Sequence, residues 1–138
     1  MDSKLRPELS SKNKYWISKH RYYELKHFCF QYKQWKKELS YIDGIGHAPT
    51  DMVRSETNLP ADPVARNAIA REYLRDRIRM IETAAKMADN DLAPYILTGV
   101  TEGLSYDQQA ARGTVPCSRD TYYDRYRKFF YILSHSRN

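Results

Sequence analysis

The sequence predicts an all-α protein, a long helical hairpin followed by a C-terminal helix-turn-helix. Three observations carry that expectation. Apolar residues recur at three- and four-residue steps over two long stretches. Nowhere do four to eight residues alternate as a half-buried strand would. Cap residues, Gly and Pro fall where helices should begin and end. The 138 residues suffice for one compact domain, or a small domain with a helical extension. The sequence divides into a basic, aromatic-rich helix at 1–43, a linker at 44–61 and a helical domain at 62–138, with the helix-turn-helix at about 92–134.

Residues 12–42 read as one long helix. Leu25, Phe28, Tyr32, Trp35, Leu39 and Ile42 make a single stripe, while Trp16, Tyr23, Phe30 and Tyr41 fall on the other side. A helix with two apolar faces needs two partners, the next helix and either the C-terminal region or a second copy of the chain. Asp43-Gly44-Ile45-Gly46 stops it, and Pro49, Ser55, Asn58 and Pro60 follow without periodicity, as an exposed connection or hinge would. Asp62-Pro63 then starts a helix: Asp caps free N–H groups, and Pro at the first position has no donor to orphan. Ala70, Leu74, Ile78, Ile81, Ala85 and Ala88 form its buried stripe, flanked by Tyr73 and Met80, with Glu72, Asp76, Arg79, Glu82 and Lys86 on a solvated face. Asp89-Asn90-Asp91 ends it near Ala88.

Leu92 to Val100 follows as a short helix with Pro94 in its first turn. After Gly103, Ser105-Tyr106-Asp107-Gln108 is a capping-box pattern opening a helix to about Arg112. Gly113-Thr114-Val115-Pro116 turns the chain, with Val115 as the apolar plug. Ser118 caps a last helix to about Ser134. Ala110 and Ala111 supply small side chains for a close helix crossing. Tyr122, Tyr126, Phe129 and Leu133 form the inward stripe of the last helix.

Composition removes several classes. No run approaches eighteen apolar residues, so no membrane span is expected. Met1 to Leu9 lacks the apolar core of a secretory signal, and two distant Cys make no disulfide framework; the expected location is the cytoplasm of a host cell, in association with its nucleoid. The net charge is +6, with ten basic and five acidic residues in 1–43 and twelve against ten in 62–138. This balance permits an anionic partner without demanding one.

The helix, turn, capped helix, turn, Ser-capped helix order of residues 92–134 is the layout of a helix-turn-helix, whose second helix enters the major groove. With the inward stripe fixed, Thr121, Arg125 and Lys128 fall on one flank of the last helix. Arg119, Tyr123 and Phe130 fall on the other, and Asp120, Asp124, Arg127 and Tyr131 lie opposite the core. Ser118 and Thr121 can donate to phosphate or base edges, and Arg119 and Arg125 can bridge phosphates or grip guanine. Arg112, Tyr123, Arg127 and Lys128 complete the expected DNA-contact set. Asp120 and Asp124 suit the helix dipole but repel phosphate.

The stretch "EGLSYDQQAARGTVPCSRDTYYDRYRKFF" resembles the helix-turn-helix of small phage and prophage proteins, the ArpU-type late transcription regulators, which are themselves similar to region 4 of sigma factors. The pattern is Glu102-Gly103-Leu104-Ser105, then Ala110, then Ser118-x-x-Thr121-Tyr122-Tyr123 and a basic, aromatic tail. "DPVARNAIAREYLRDRIRMIETAA" is similar to the helix preceding that module, so the resemblance covers roughly 62–134. It implies a transcription-regulating DNA binder with contacts from Ser118, Arg119, Thr121 and Arg125. The turn Gly-Thr-Val-Pro-Cys departs from the commoner Leu-Gly-Ile-Ser form.

Other constellations give less. His20, Glu24 and His27 share a helical face with Cys29 nearby, but no fourth ligand follows at zinc spacing, and a solvated face is the better reading. Cys29 and Cys117 lack Cys-x-x-Cys spacing; Cys117 is read as a packing residue, although it abuts a helix N-terminus, where a thiol pKa can fall. Gly44-Ile45-Gly46 is no phosphate loop, and no nucleophile, base and orienting residue fall together. The lysines of the first helix interleave with Tyr15, Trp16, Tyr22, Tyr23, Phe28 and Trp35, a pattern read as Lys stems covering aromatics rather than as a strand-binding surface.

The expectation is therefore a non-enzymatic, sequence-specific binder of double-stranded DNA. It has no catalytic residues, metal or cofactor, works as a homodimer on a palindromic site, and has RNA polymerase as a further candidate partner. The rival readings are a small terminase-like packaging adaptor and a protein-binding module acting on RNA polymerase or a host defence enzyme.

Overall fold

Local capping chemistry sets where the helices begin. In the computed structural model, which describes residues 12–45 and 62–137, all regular structure among the described residues is α-helical: α1 Lys19–Cys29, α2 Tyr32–Ile45, α3 Pro63–Ala88, α4 Ala93–Glu102, α5 Tyr106–Arg112 and α6 Arg119–Ser136. The Oδ1 of Asp62 accepts from the N–H of Val64 at 3.0 Å. Ser105 and Gln108 complete the reciprocal capping box, at 3.1 Å and 2.8 Å, and Ser118 Oγ accepts from Thr121 N–H at 3.2 Å. Gly103 ends α4 with φ +73°, a left-handed conformation that glycine adopts without steric cost.

The single long helix expected over 12–42 is two helices. Ser18, a cap that the hydrophobic stripe conceals, starts α1 by accepting from Arg21 N–H at 3.2 Å. The chain leaves α1 at Phe30 and Gln31, where Gln31 N–H reaches back to Phe28 O at 3.2 Å. Leu25, Phe28, Tyr32, Trp35 and Ile42 are nevertheless all buried. A four-residue step from Phe28 to Tyr32 is kept whether or not the helix is continuous, so periodicity alone does not register the break. At its other end α2 runs three residues past the expected bound at 42 and ends at Ile45, within the Asp43-Gly44-Ile45-Gly46 stop; the rest of the expected linker, 46–61, lies outside the described residues.

Two compact units result, and their borders fall at the break between α1 and α2 and inside α3 rather than at the linker. One comprises residues 32–79 and the other residues 1–31 with 80–138. In the first, Tyr32, Trp35 and Ile42 of α2 and Ala70, Leu74 and Ile78 of α3 are buried, and Arg71 Nε meets Asp43 Oδ1 at 3.0 Å. The expected α3 stripe holds throughout its length, with Ile81, Ala85 and Ala88 buried in the second unit.

In that second unit α6 packs against α1, α4 and α5, and α4 packs against α1 and α5. Three neighbours give α6 a broad buried arc. Tyr122, Phe129, Phe130 and Leu133 are inaccessible to solvent, and Tyr123 is only 6% exposed. Of the flank expected to carry Arg119, Tyr123 and Phe130 outward, Arg119 is exposed but Tyr123 and Phe130 are interior: Tyr22 of α1 lies against Phe130, and the Tyr106 N–H of α5 meets the Tyr123 hydroxyl. Arg21 of α1 clamps the end of α6, donating to Ser134 Oγ at 3.0 Å, to Ser134 O at 2.7 Å and to Arg137 O. Cations near the last carbonyls of a helix are favoured by its dipole.

Candidate nucleic-acid interface

The α4–α5–α6 arrangement is set by a buried polar knot. Tyr122 Oη accepts from Gln109 Nε2 at 3.2 Å and donates to Tyr95 O at 3.4 Å. Burial pushes this phenol far above its ordinary range, so it remains a neutral hydroxyl able to do both. Gly99 makes the approach possible: a Cβ there would lie 2.2 Å from Tyr122 Oη. The small side chains expected to serve the crossing, Ala110 and Ala111, are exposed; the close contact belongs to Gly99 of α4 instead. Tyr106 fastens the second turn, donating from its hydroxyl to Cys117 O at 2.7 Å and from its N–H to Tyr123 Oη at 3.0 Å. Val115 is buried, as a turn plug should be.

The eight residues expected to meet DNA sort by position along α6. Ser118 and Arg119 at its start, and Arg112 at the end of α5, are exposed. Arg119 Nη1 pairs with Asp107 Oδ2 at 2.8 Å, across side chains 50% and 70% exposed. Such a pair is worth roughly 0–1 kcal/mol and is readily exchanged for a phosphate. Thr121 is half-buried, and its Oγ1 accepts from Ser118 Oγ at 3.0 Å. Tyr123 is buried and cannot reach a groove. Lys128 and Arg127 are half-buried, and the Nε of Arg127 is enclosed without a hydrogen-bond partner.

Arg125 is committed elsewhere. Its Nε donates to Asp89 Oδ2 at 3.0 Å, and its Nη1 pairs with Asp124. The other oxygen of Asp89 accepts from Asp91 N–H at 3.0 Å and Leu92 N–H at 3.1 Å. Burial by itself would raise the Asp89 carboxyl, but the hydrogen bonds from Leu92, Arg125 and Asp91 outweigh it and hold the group below the usual carboxylate range. One carboxylate thus caps the entry to α4, whose own cap residue Leu92 has no polar side chain, and ties it to α6. Neither role shows in the sequence, where Asp89 reads only as a helix end.

The thiol of Cys117 is raised rather than lowered: burial acts first, and the Asp89 carboxylate adds to it against Arg125. Cys29 is buried and its thiol is likewise pushed far up. Both therefore stay protonated, as packing residues do. No group of three His, Cys, Asp or Glu side chains is placed to hold a metal among the described residues, and Glu24 is instead paired with Arg21 at 2.9 Å. No helix among the described residues is long and apolar enough to cross a membrane. No family model, curated protein or solved structure matches the chain.

Proposed function

We propose that the chain is a sequence-specific DNA-binding protein, a phage or prophage transcriptional regulator that works as a homodimer in the host cytoplasm. The observation carrying this reading is the exposed start of α6, where Ser118 and Arg119 stand clear of a tightly packed α4–α5–α6 group. Helix N-termini and exposed guanidinium groups are the ordinary means of gripping phosphate and base edges. The resemblance of residues 62–134 to the ArpU-type regulators supports the same conclusion. The contact surface is narrower than the whole helix: the first turn of α6 with Arg112, aided by Lys128. Arg125 and Tyr123 act behind it, holding the helix in place.

Fluorescence anisotropy with fragmented DNA of the source element, across a salt series, tests the reading. With about four phosphates neutralised, log K should fall against log salt with a slope of about −3 to −4. Tight binding to one fragment supports the proposal, weak and equal binding to all fragments favours a packaging adaptor, and absence of binding at low salt refutes it. A protein-binding module is the second reading, favoured by the exposed rings of Trp16 and Phe30 beside α1.

A further inference from the structure

The second unit contains a cavity of about 300 Å³ bounded by α1, the α4–α5 turn and the beginning of α6. One of its walls is aromatic. The rings of Tyr22 and Phe130 lie 5.1 Å apart, those of Tyr126 and Phe130 5.1 Å, and those of Tyr123 and Tyr126 5.6 Å, all edge to face. The volume stands at the low end of natural small-molecule sites, enough for a single ring or a fused pair and too little for a nucleotide.

Two cationic side chains line it. The ammonium of Lys26 lies 5.8 Å from the Tyr22 ring centre and 6.0 Å from that of Phe30, and it makes no ion pair among the described residues. Arg119 gives one N–H to Asp107 at 2.8 Å and has four others. The Tyr126 hydroxyl has the Tyr22 hydroxyl, at 2.9 Å, as its hydrogen-bond partner. Two cations against the single carboxylate of Asp107 leave the cavity net positive, beside an aromatic wall.

We propose that this cavity binds a small aromatic carboxylate, with its ring laid against the wall of Tyr22, Tyr123 and Tyr126 and its carboxylate held by Lys26 and Arg119. A cationic ligand would face two like charges, and a neutral ring would leave the donors unmet. On the DNA-binding reading, ligand and phosphate draw on the same Arg119, so the ligand weakens DNA binding. That corollary rests on the reading, whereas occupancy of the cavity does not.

Isothermal titration of the full chain without DNA keeps the two apart. Indole-3-acetate and benzoate serve as probes, with indole-3-acetamide and benzamide as their neutral counterparts. The expected dissociation constant for the better acid is about 0.1–1 mM, at least about tenfold tighter than its amide. Lys26→Met, on the surface of α1, should weaken the acid about tenfold and leave the amide unchanged. Absence of heat with both acids, equal affinity for acid and amide, or an unaltered acid affinity in a folded Lys26→Met overturns the proposal. The preference for acid over amide decides the matter in the unmodified chain if the variant fails to fold.

Discussion

Gly99→Ala should destabilise the protein although alanine is the better helix former. In an exposed helix interior the change would stabilise by about 1 kcal/mol. Here the new Cβ would meet Tyr122 Oη at 2.2 Å, Gln109 Nε2 at 3.2 Å and Leu104 O at 3.2 Å. The hydroxyl must retreat by more than an ångström to reach ordinary contact, yet Tyr122 is fully buried and packed against Tyr106 and Tyr123. Overpacking of this kind costs about 1–3 kcal/mol. Displacing the hydroxyl also breaks its bonds to Gln109 and Tyr95, leaving a buried amide unmet at about 1–3 kcal/mol more. Set against the helix-propensity gain, the net loss is about 3 kcal/mol, or a fall in Tm of about 10 °C. Urea and thermal unfolding followed by far-UV circular dichroism read it directly. Tyr122→Phe removes the offending oxygen, so in the Gly99→Ala background it should restore stability, whereas in the parent chain it should cost about 1–2 kcal/mol. A Gly99→Ala protein as stable as the parent, or a double variant no better than the single, would refute the argument that Gly99 is present for the Tyr122 hydroxyl.

Further outcomes follow from the same contacts. Because the folded Asp89 carboxyl titrates below its unfolded value, its stabilisation is full above about pH 4 and is lost as pH falls through the folded pKa. Asp89→Asn should therefore lose about 1–2 kcal/mol at neutral pH and converge on the parent in acid, as denaturation midpoints measured from pH 7 down to about pH 2 would show. Arg119→Ala should leave the urea midpoint nearly unchanged while weakening DNA by about 1–3 kcal/mol in anisotropy. Asp107→Asn, by freeing Arg119 and removing a charge that repels phosphate, should tighten DNA a few-fold at low salt; weaker binding would contradict the assigned surface. Ser118→Ala should lower stability by about 1 kcal/mol through loss of the α6 cap.

The candidate surface was legible in the sequence only in part. Ser118 and Arg119 lie at the start of α6 as its cap and inward stripe require, because a cap is fixed by neighbours three residues away. Arg125 reads as a free guanidinium on the outward flank, since nothing in residues 119–134 indicates that Asp89, 36 positions earlier, will hold it. Tyr123 reads as outward because nothing in residues 119–134 indicates that the Tyr106 N–H of α5 will meet its hydroxyl. Gly99 carries no local signal as a packing residue: it sits mid-helix, where glycine is merely unfavourable, until Tyr122 is brought against it.

The sequence by itself determined the all-helical class, the starts of α3, α5 and α6, the glycine break after α4 and the buried stripe of α3. These depend on interactions within one or two helical turns, which composition and spacing record directly. The tertiary structure alone decided the break between α1 and α2, the breadth of the buried arc on α6, the knot of Tyr122, Gln109 and Gly99, and which arginines remain exposed. Each of these turns on which surface meets which across long stretches of chain. A local pattern states how much of a helix is apolar, but only packing states how many neighbours cover it.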